Sequence, residues 1–183
     1  MSHSTDRRRA SAPPLDGAGL DRLALQYVGR YATTEAKLGQ YLRRKVRERG
    51  WDGEGAAPID AVVARCARLG YVDDVAFAAA RGAALTRRGL GERRVAQALQ
   101  AAGLGEEAVA PARAAAQEEA TAAALTFARR RRIGPFAREA HDEEQRRRDL
   151  AAMVRAGHAF ALARRIVALQ PGQEPEGLGE YDE

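Results

Sequence analysis

Apolar residues between positions 20 and 170 recur every three or four places, the spacing that gathers them on one face of a helix, and no stretch alternates as a half-buried strand would. Leu20, Leu23, Tyr27, Val28 and Tyr31 form a first stripe. Leu38, Tyr41, Leu42 and Val46 form a second, with Thr33 and Thr34 available as caps and Gly50 as a stop. Ile59, Val62, Val63, Cys66 and Leu69 make a third, entered through Pro58 and ended by Gly70. Phe77, Ala80, Arg81, Ala84 and Leu85 define a fourth helix broken at Gly89 and Gly91, and Val95, Ala98, Leu99 and Ala102 a fifth closed by Gly103. A sixth starts near Glu106 and is predicted to bend at Pro111, which lacks an amide hydrogen and crowds the preceding turn. A seventh runs from Glu118 to Arg132, ahead of Gly134 and Pro135. Asp142 opens an eighth carrying Leu150, Met153 and Val154, and Phe160, Ala163, Ile166 and Val167 line a ninth. The predicted fold class is all-α.

Three segments share one rhythm: "AKLGQYLRRKVRERGW", "ERRVAQALQAAGL" and "RRRDLAAMVRAGH". In each, an apolar residue is followed four places on by another, then by a helix end and a glycine. The pairs are Leu38 with Leu42, Val95 with Leu99, and Leu150 with Val154, and the glycines are Gly50, Gly103 and Gly157. The pattern predicts an elongated array of three tandem three-helix repeats, residues 20–70, 71–117 and 118–170, whose neighbours stabilise one another. A polar leader, 1–19, and an acidic tail, 171–183, are predicted to be mobile.

Within this pattern sits Tyr-Val-Asp-Asp at Tyr71 to Asp74, a tetrapeptide that in some template-copying polymerases holds magnesium from a β-hairpin. Here a helical stripe ends just before it and another begins at Phe77, so Asp73 or Asp74 is predicted to cap the next helix, its charge meeting the positive end of the helix dipole. Tyr71 and Val72 then read as a hydrophobic staple into that helix. No strand setting or third carboxylate supports a metal site.

Composition narrows the chemistry. The chain has 183 residues, 45% of them apolar and only 5% aromatic, which predicts a core of small side chains between closely approaching helices. Cys66 is the sole cysteine, which rules out an internal disulfide, and it reads as a small core residue. No apolar run is long enough to span a membrane and no secretory leader is evident, so the protein is expected in the cytoplasm. None of His3, His141 and His158 has an evident nucleophile or carboxylate at ligand spacing, and "RRGLGERR" lacks both the Gly-Lys-[Ser/Thr] ending and the preceding strand of a phosphate loop. No catalytic residue, metal or cofactor is expected.

The net charge is +5 even though Glu174, Glu176, Glu180, Asp182 and Glu183 leave the tail acidic, and Lys37 and Lys45 are the only lysines. Arginine recognises carboxylate and phosphate through paired hydrogen bonds. The arginine groups are Arg43, Arg44, Arg47 and Arg49; Arg87, Arg88, Arg93 and Arg94; Arg129, Arg130, Arg131 and Arg132; and Arg146, Arg147 and Arg148. The plain reading is a set of solvated helix faces. The groups near Gly89 and Ile133 are the stronger binding candidates, because they crowd helix ends where side chains converge.

"LGYVDDVAFA" leading into "RRGLGERRVAQALQAAGL" resembles the RecX regulatory proteins of bacteria, through Gly70, Tyr71, Val72, Asp73, Asp74, Phe77 and Ala78, then Arg87, Gly89, Gly91, Arg94 and Val95, and finally Leu99 and Gly103. His158 departs from that pattern, standing where an aromatic is usual. The resemblance implies a monomeric accessory protein that docks on the RecA filament on single-stranded DNA and modulates it, mostly by inhibition, without chemistry of its own. Carboxylates of the recombinase or phosphates of single- or double-stranded DNA would then be the partners of Arg87, Arg88, Arg93, Arg94, Arg129, Arg130, Arg131, Arg132, Arg146 and Arg147. The competing reading is a stand-alone helix-turn-helix protein on duplex DNA, which explains the charge but neither the threefold rhythm nor the motif.

Overall fold

The computed structural model describes residues 13–175, 177 and 178. Among these it is all-α. The helices are α1 (Gly17–Val28), α2 (Glu35–Arg49), α3 (Ile59–Arg68), α4 (Asp74–Arg87), α5 (Glu92–Gln100), α6 (Glu106–Glu118), α7 (Ala120–Arg131), α8 (Glu143–Arg155) and α9 (Phe160–Ala168), with one 3-10 turn at Gly134–Phe136. The β pairing among the described residues is a single isolated bridge between Leu15 and Trp51. The chain divides into two compact units, Met1–Asp73 and Asp74–Glu183.

In the first unit α1, α2 and α3 enclose Leu20, Ala24, Leu38, Leu42, Val62, Val63 and Cys66. Their ends follow local chemistry. Asp16 caps α1 by accepting from the Gly19 amide at 2.7 Å, and Thr34 caps α2 by accepting from the Lys37 amide at 3.2 Å. Gly50 closes α2 at a positive φ of 86°. Part of the leader expected to be mobile is fastened to this unit: Leu15 is buried, its amide bonded to the Gly50 carbonyl and its carbonyl to the Asp52 amide. Residues 1–12 of the expected leader lie outside the described residues. Tyr31 and Leu69, expected on core stripes, are half exposed. Val72 is buried in this same core while Tyr71 is half exposed. Burial raises the Cys66 thiol above its ordinary pKa, as suits an inert core residue.

The second unit holds two clusters. Ala78, Leu85, Val95, Leu99, Val109 and Ala112 fill the space between α4, α5 and α6; Gly82 sits against Ala112, which is the small-residue packing the composition suggested. Ala124, Ala128, Ile133, Met153, Leu162, Ala163 and Ile166 fill the space between α7, α8 and α9. Phe160, expected on that stripe, is exposed at the start of α9. Helix α6 runs on through Pro111; Pro111 and Glu107, whose carbonyl loses its helical partner, are both exposed, so water can serve that group. Part of the tail expected to be mobile is fastened to this unit: the Gly172 amide bonds the Pro135 carbonyl at 2.9 Å, Arg165 donates to the Gly177 carbonyl, and Leu178 is buried among the residues of the second cluster.

Candidate partner-binding site

The motif glycines make a close backbone contact between the two halves of the second unit. A Cβ on Gly91 would lie 2.3 Å from the carbonyl carbon of Gly157 and 2.5 Å from the His158 nitrogen, and the Gly91 amide donates to the Ala156 carbonyl at 2.9 Å. Gly157 returns the contact from a φ of 96°, where a Cβ would meet the Arg94 nitrogen at 2.5 Å. Gly89, with φ of 84°, lies equally close to α7: its Cβ would stand 2.8 Å from the Phe127 nitrogen. Side chains at these places would push the chain segments apart.

His158 completes the joint. Its ring is 2% exposed and packs on Phe127 with centroids 5.5 Å apart, so the imidazole takes the aromatic's place. Nε2 lies 3.1 Å from the Gly89 carbonyl, which can only accept, so Nε2 carries the proton. Nδ1 is buried without a hydrogen-bond partner among the described residues. Burial lowers the imidazole's pKa from its ordinary value, against the opposing effect of the Gly89 bond.

Arginines gather beside this joint. Arg88 after α4 and Arg130 and Arg131 at the end of α7 surround a hollow of about 370 Å³ whose apolar wall is Leu85, Leu90 and Phe127. Arg130 is held by donating to the Arg88 carbonyl at 2.9 Å, and the Arg131 guanidinium sits 5.8 Å from the centroid of the Phe127 ring. Neither Arg88 nor Arg131 has a carboxylate within ion-pair distance among the described residues. The run at the end of α7 also meets the negative end of the helix dipole, which is a structural reason for cations there. Arg132, however, occupies the left-handed region at φ 56°, and no other non-glycine does so among the described residues. Such strain clusters at functional places.

The remaining candidates do not join the hollow. Arg129 lies over the Phe136 ring at 4.9 Å. Arg87 and Arg93 are exposed, and Arg94 bonds Gln97 on its own helix at 3.3 Å. Arg146 donates to the His141 carbonyl at 2.9 Å, and Arg147 pairs with Glu143 one turn away.

Asp73 stands immediately before α4 and Asp74 in its first turn, between helices and away from any hairpin. His141, for which no carboxylate partner was expected, has one: Nδ1 lies 2.7 Å from Oδ2 of the buried Asp149, whose Oδ1 accepts from Gln145 at 2.8 Å. The separation of eight residues, from loop to helix, leaves no periodic signal for it. The cavity beside His141 has about 10 Å³ of free volume and no nucleophilic side chain in its wall, so the pair fastens the start of α8. Nothing in the periodic pattern brings Leu90 and Phe127 together as walls of one hollow.

No family model matches the sequence. The chain is 37% identical over 160 residues to the regulatory protein RecX of Myxococcus xanthus, covering 83% of this chain and 86% of that one. It is 31% identical over 152 residues to regulatory protein RecX of Agrobacterium fabrum, covering 80% of each. Its fold superposes on the crystal structure of RecX from Lactobacillus salivarius with a TM-score of 0.60 at 14% identity, over 82% of this chain and 93% of that one. A second crystal structure of regulatory protein RecX matches with a TM-score of 0.58 at 19% identity, over 82% and 72%.

Proposed function

Because the chain belongs to the RecX regulatory proteins, we propose that it binds the RecA filament on single-stranded DNA and restrains it, lowering ATP hydrolysis and strand exchange by occupancy alone. The observation that carries this reading is the hollow between Arg88, Arg130 and Arg131, with its apolar wall of Leu85, Leu90 and Phe127. Guanidinium groups around an apolar centre suit a protein surface that offers carboxylates beside a hydrophobic side chain. The three helical clusters are read as three repeats, residues 20–70, 71–117 and 118–170, whose separate weak contacts with a polymeric partner reinforce one another. The protein acts as a monomer in the cytoplasm on this reading.

The test is a titration of the protein into RecA bound to single-stranded DNA while ATP hydrolysis is followed. Hydrolysis should fall at well below one molecule per recombinase protomer, and Arg88→Gln with Arg130→Gln should raise the concentration required by about tenfold or more, as expected when two interface arginines are truncated. Unaltered hydrolysis at saturation would refute the reading. So would tighter retention on a bare duplex than on the filament, which would favour direct reading of DNA.

A further inference from the structure

A second cationic surface lies on the first unit, and it is aromatic. The rings of Tyr27 and Tyr41 are stacked, with centroids 4.2 Å apart and planes 17° from parallel, and Tyr31 stands beside them, its ring tilted 51° to that of Tyr27 with centroids 5.3 Å apart. Cations stand at both ends: the Arg30 guanidinium is 6.0 Å from the centroid of Tyr31, and that of Arg44 is 5.6 Å from the centroid of Tyr41. Helical spacing accounts for the arrangement. Tyr27 and Tyr31 are one turn apart at α1 and just beyond it, while Lys37, Gln40, Tyr41, Arg44 and Arg47 form one stripe of α2. Beside the stack, Tyr27, Tyr41, Gln40, Lys37, Arg43, Arg44 and Arg47 enclose an open hollow of about 420 Å³ with no carboxylate in its wall. Arg43 pairs with Asp60 at 2.8 Å and Arg44 with Glu48 at 3.6 Å, both carboxylates lying outside the hollow.

Core packing explains only part of this. Tyr27 and Tyr41 pack on the first unit's core over the fully buried Leu20, Leu38 and Leu42, but Tyr31 is 53% exposed and is not among the residues of that core. An acidic protein surface would need the cations and not the exposed ring. We propose that this face binds single-stranded nucleic acid, one base stacking on Tyr31, another entering the hollow against Tyr41, and the phosphates pairing with Arg44 and Arg47. Exposed aromatic faces in a positively charged groove accept any unpaired base, whereas a duplex keeps its base faces covered. The site belongs to the first unit and does not depend on the function assigned to the arginines of the second.

The experiment is fluorescence anisotropy of a labelled oligothymidylate with the full chain, over a range of salt and without recombinase. Tyr31→Ala should weaken binding by about fivefold or more, the effect of losing one stacked base, while Tyr31→Phe should stay within about twofold of the parent. Arg47→Gln should reduce the slope of log affinity against log salt by about 0.7, the value for one lost single-strand phosphate contact. Tyr31 is exposed, so far-UV circular dichroism should match the parent in both variants. The proposal is overturned if the oligomer is not bound at low salt, if Tyr31→Ala binds like the parent, if Tyr31→Phe loses as much as Tyr31→Ala, or if a duplex is held as tightly as the strand. Because recombinase is absent, none of these outcomes bears on filament regulation.

Discussion

Substituting Gly91 by alanine separates close approach from backbone strain. Gly91 precedes α5 with φ −78° and ψ 164°, and Gly105 precedes α6 with φ −76° and ψ 167°, angles that alanine adopts freely. The positions differ in what a new methyl meets: nothing within 4 Å at Gly105, but the Gly157 carbonyl carbon at 2.3 Å and oxygen at 2.4 Å at Gly91. Carbon contacts are comfortable near 3.5–4.0 Å, so α5 must retreat by about 1 Å or more. Overpacking of this kind costs about 1–3 kcal/mol, and the retreat breaks the Gly91 to Ala156 hydrogen bond, worth about 1 kcal/mol more. Gly91→Ala should therefore destabilise by about 2–4 kcal/mol. Gly105→Ala should cost under about 1 kcal/mol, the difference between two weak caps. Urea denaturation followed by far-UV circular dichroism compares the two. Equal costs would show that the contact between Gly91 and Gly157 does not hold the second unit together.

Three further outcomes follow from particular side chains. His158 has a folded pKa below its unfolded value of about 6.5, so its contribution to stability is full above pH 6.5 and is lost as pH falls through the window below it; denaturation midpoints should drop on acidification, and less steeply in His158→Phe. Arg132→Gly relieves a left-handed arginine and should stabilise by about 1 kcal/mol in thermal melts while weakening filament binding, since the guanidinium is lost. Asp142 accepts from the Gln145 amide at 2.7 Å, so Asp142→Ala should cost about 1 kcal/mol in the same melts.

Helix positions were legible because the signals that set them are local. Thr34 and Asp142 cap the helices that follow them, and Gly50 and Gly70 end helices at positive φ. Where a stripe runs past the last packed turn, the same signal overshoots: Tyr31, Leu69 and Phe160 keep the period yet are half exposed. Chain ends fail for a related reason. Proline, glycine and acidic residues around Leu15 and Leu178 outweigh one apolar residue in any composition window, but a buried leucine with a hydrogen bond or two nearby, at Leu15 itself and at Gly172 and Gly177 before Leu178, fastens such a segment. Partners far apart in sequence, such as Gly91 with Gly157 or His141 with Asp149, leave no trace in a periodic pattern.

The arginines were legible as charge and not as place. Arg147 pairs with Glu143 one turn away, whereas Arg88 and Arg131, equally basic in sequence, have no ion-pair partner among the described residues and stand around the hollow. What decides between them is the glycine at position 89. With no Cβ it brings the chain within 2.8 Å, measured to where that Cβ would be, of the Phe127 amide nitrogen, so the residue before it comes to the end of α7 where Arg130 can bond its carbonyl. The motif and the proposed binding surface are thus different residues with one cause. Replacing Arg88 should change partner affinity and leave the fold intact, whereas replacing Gly89 should change both, because the position of the charge follows from the approach of the backbone.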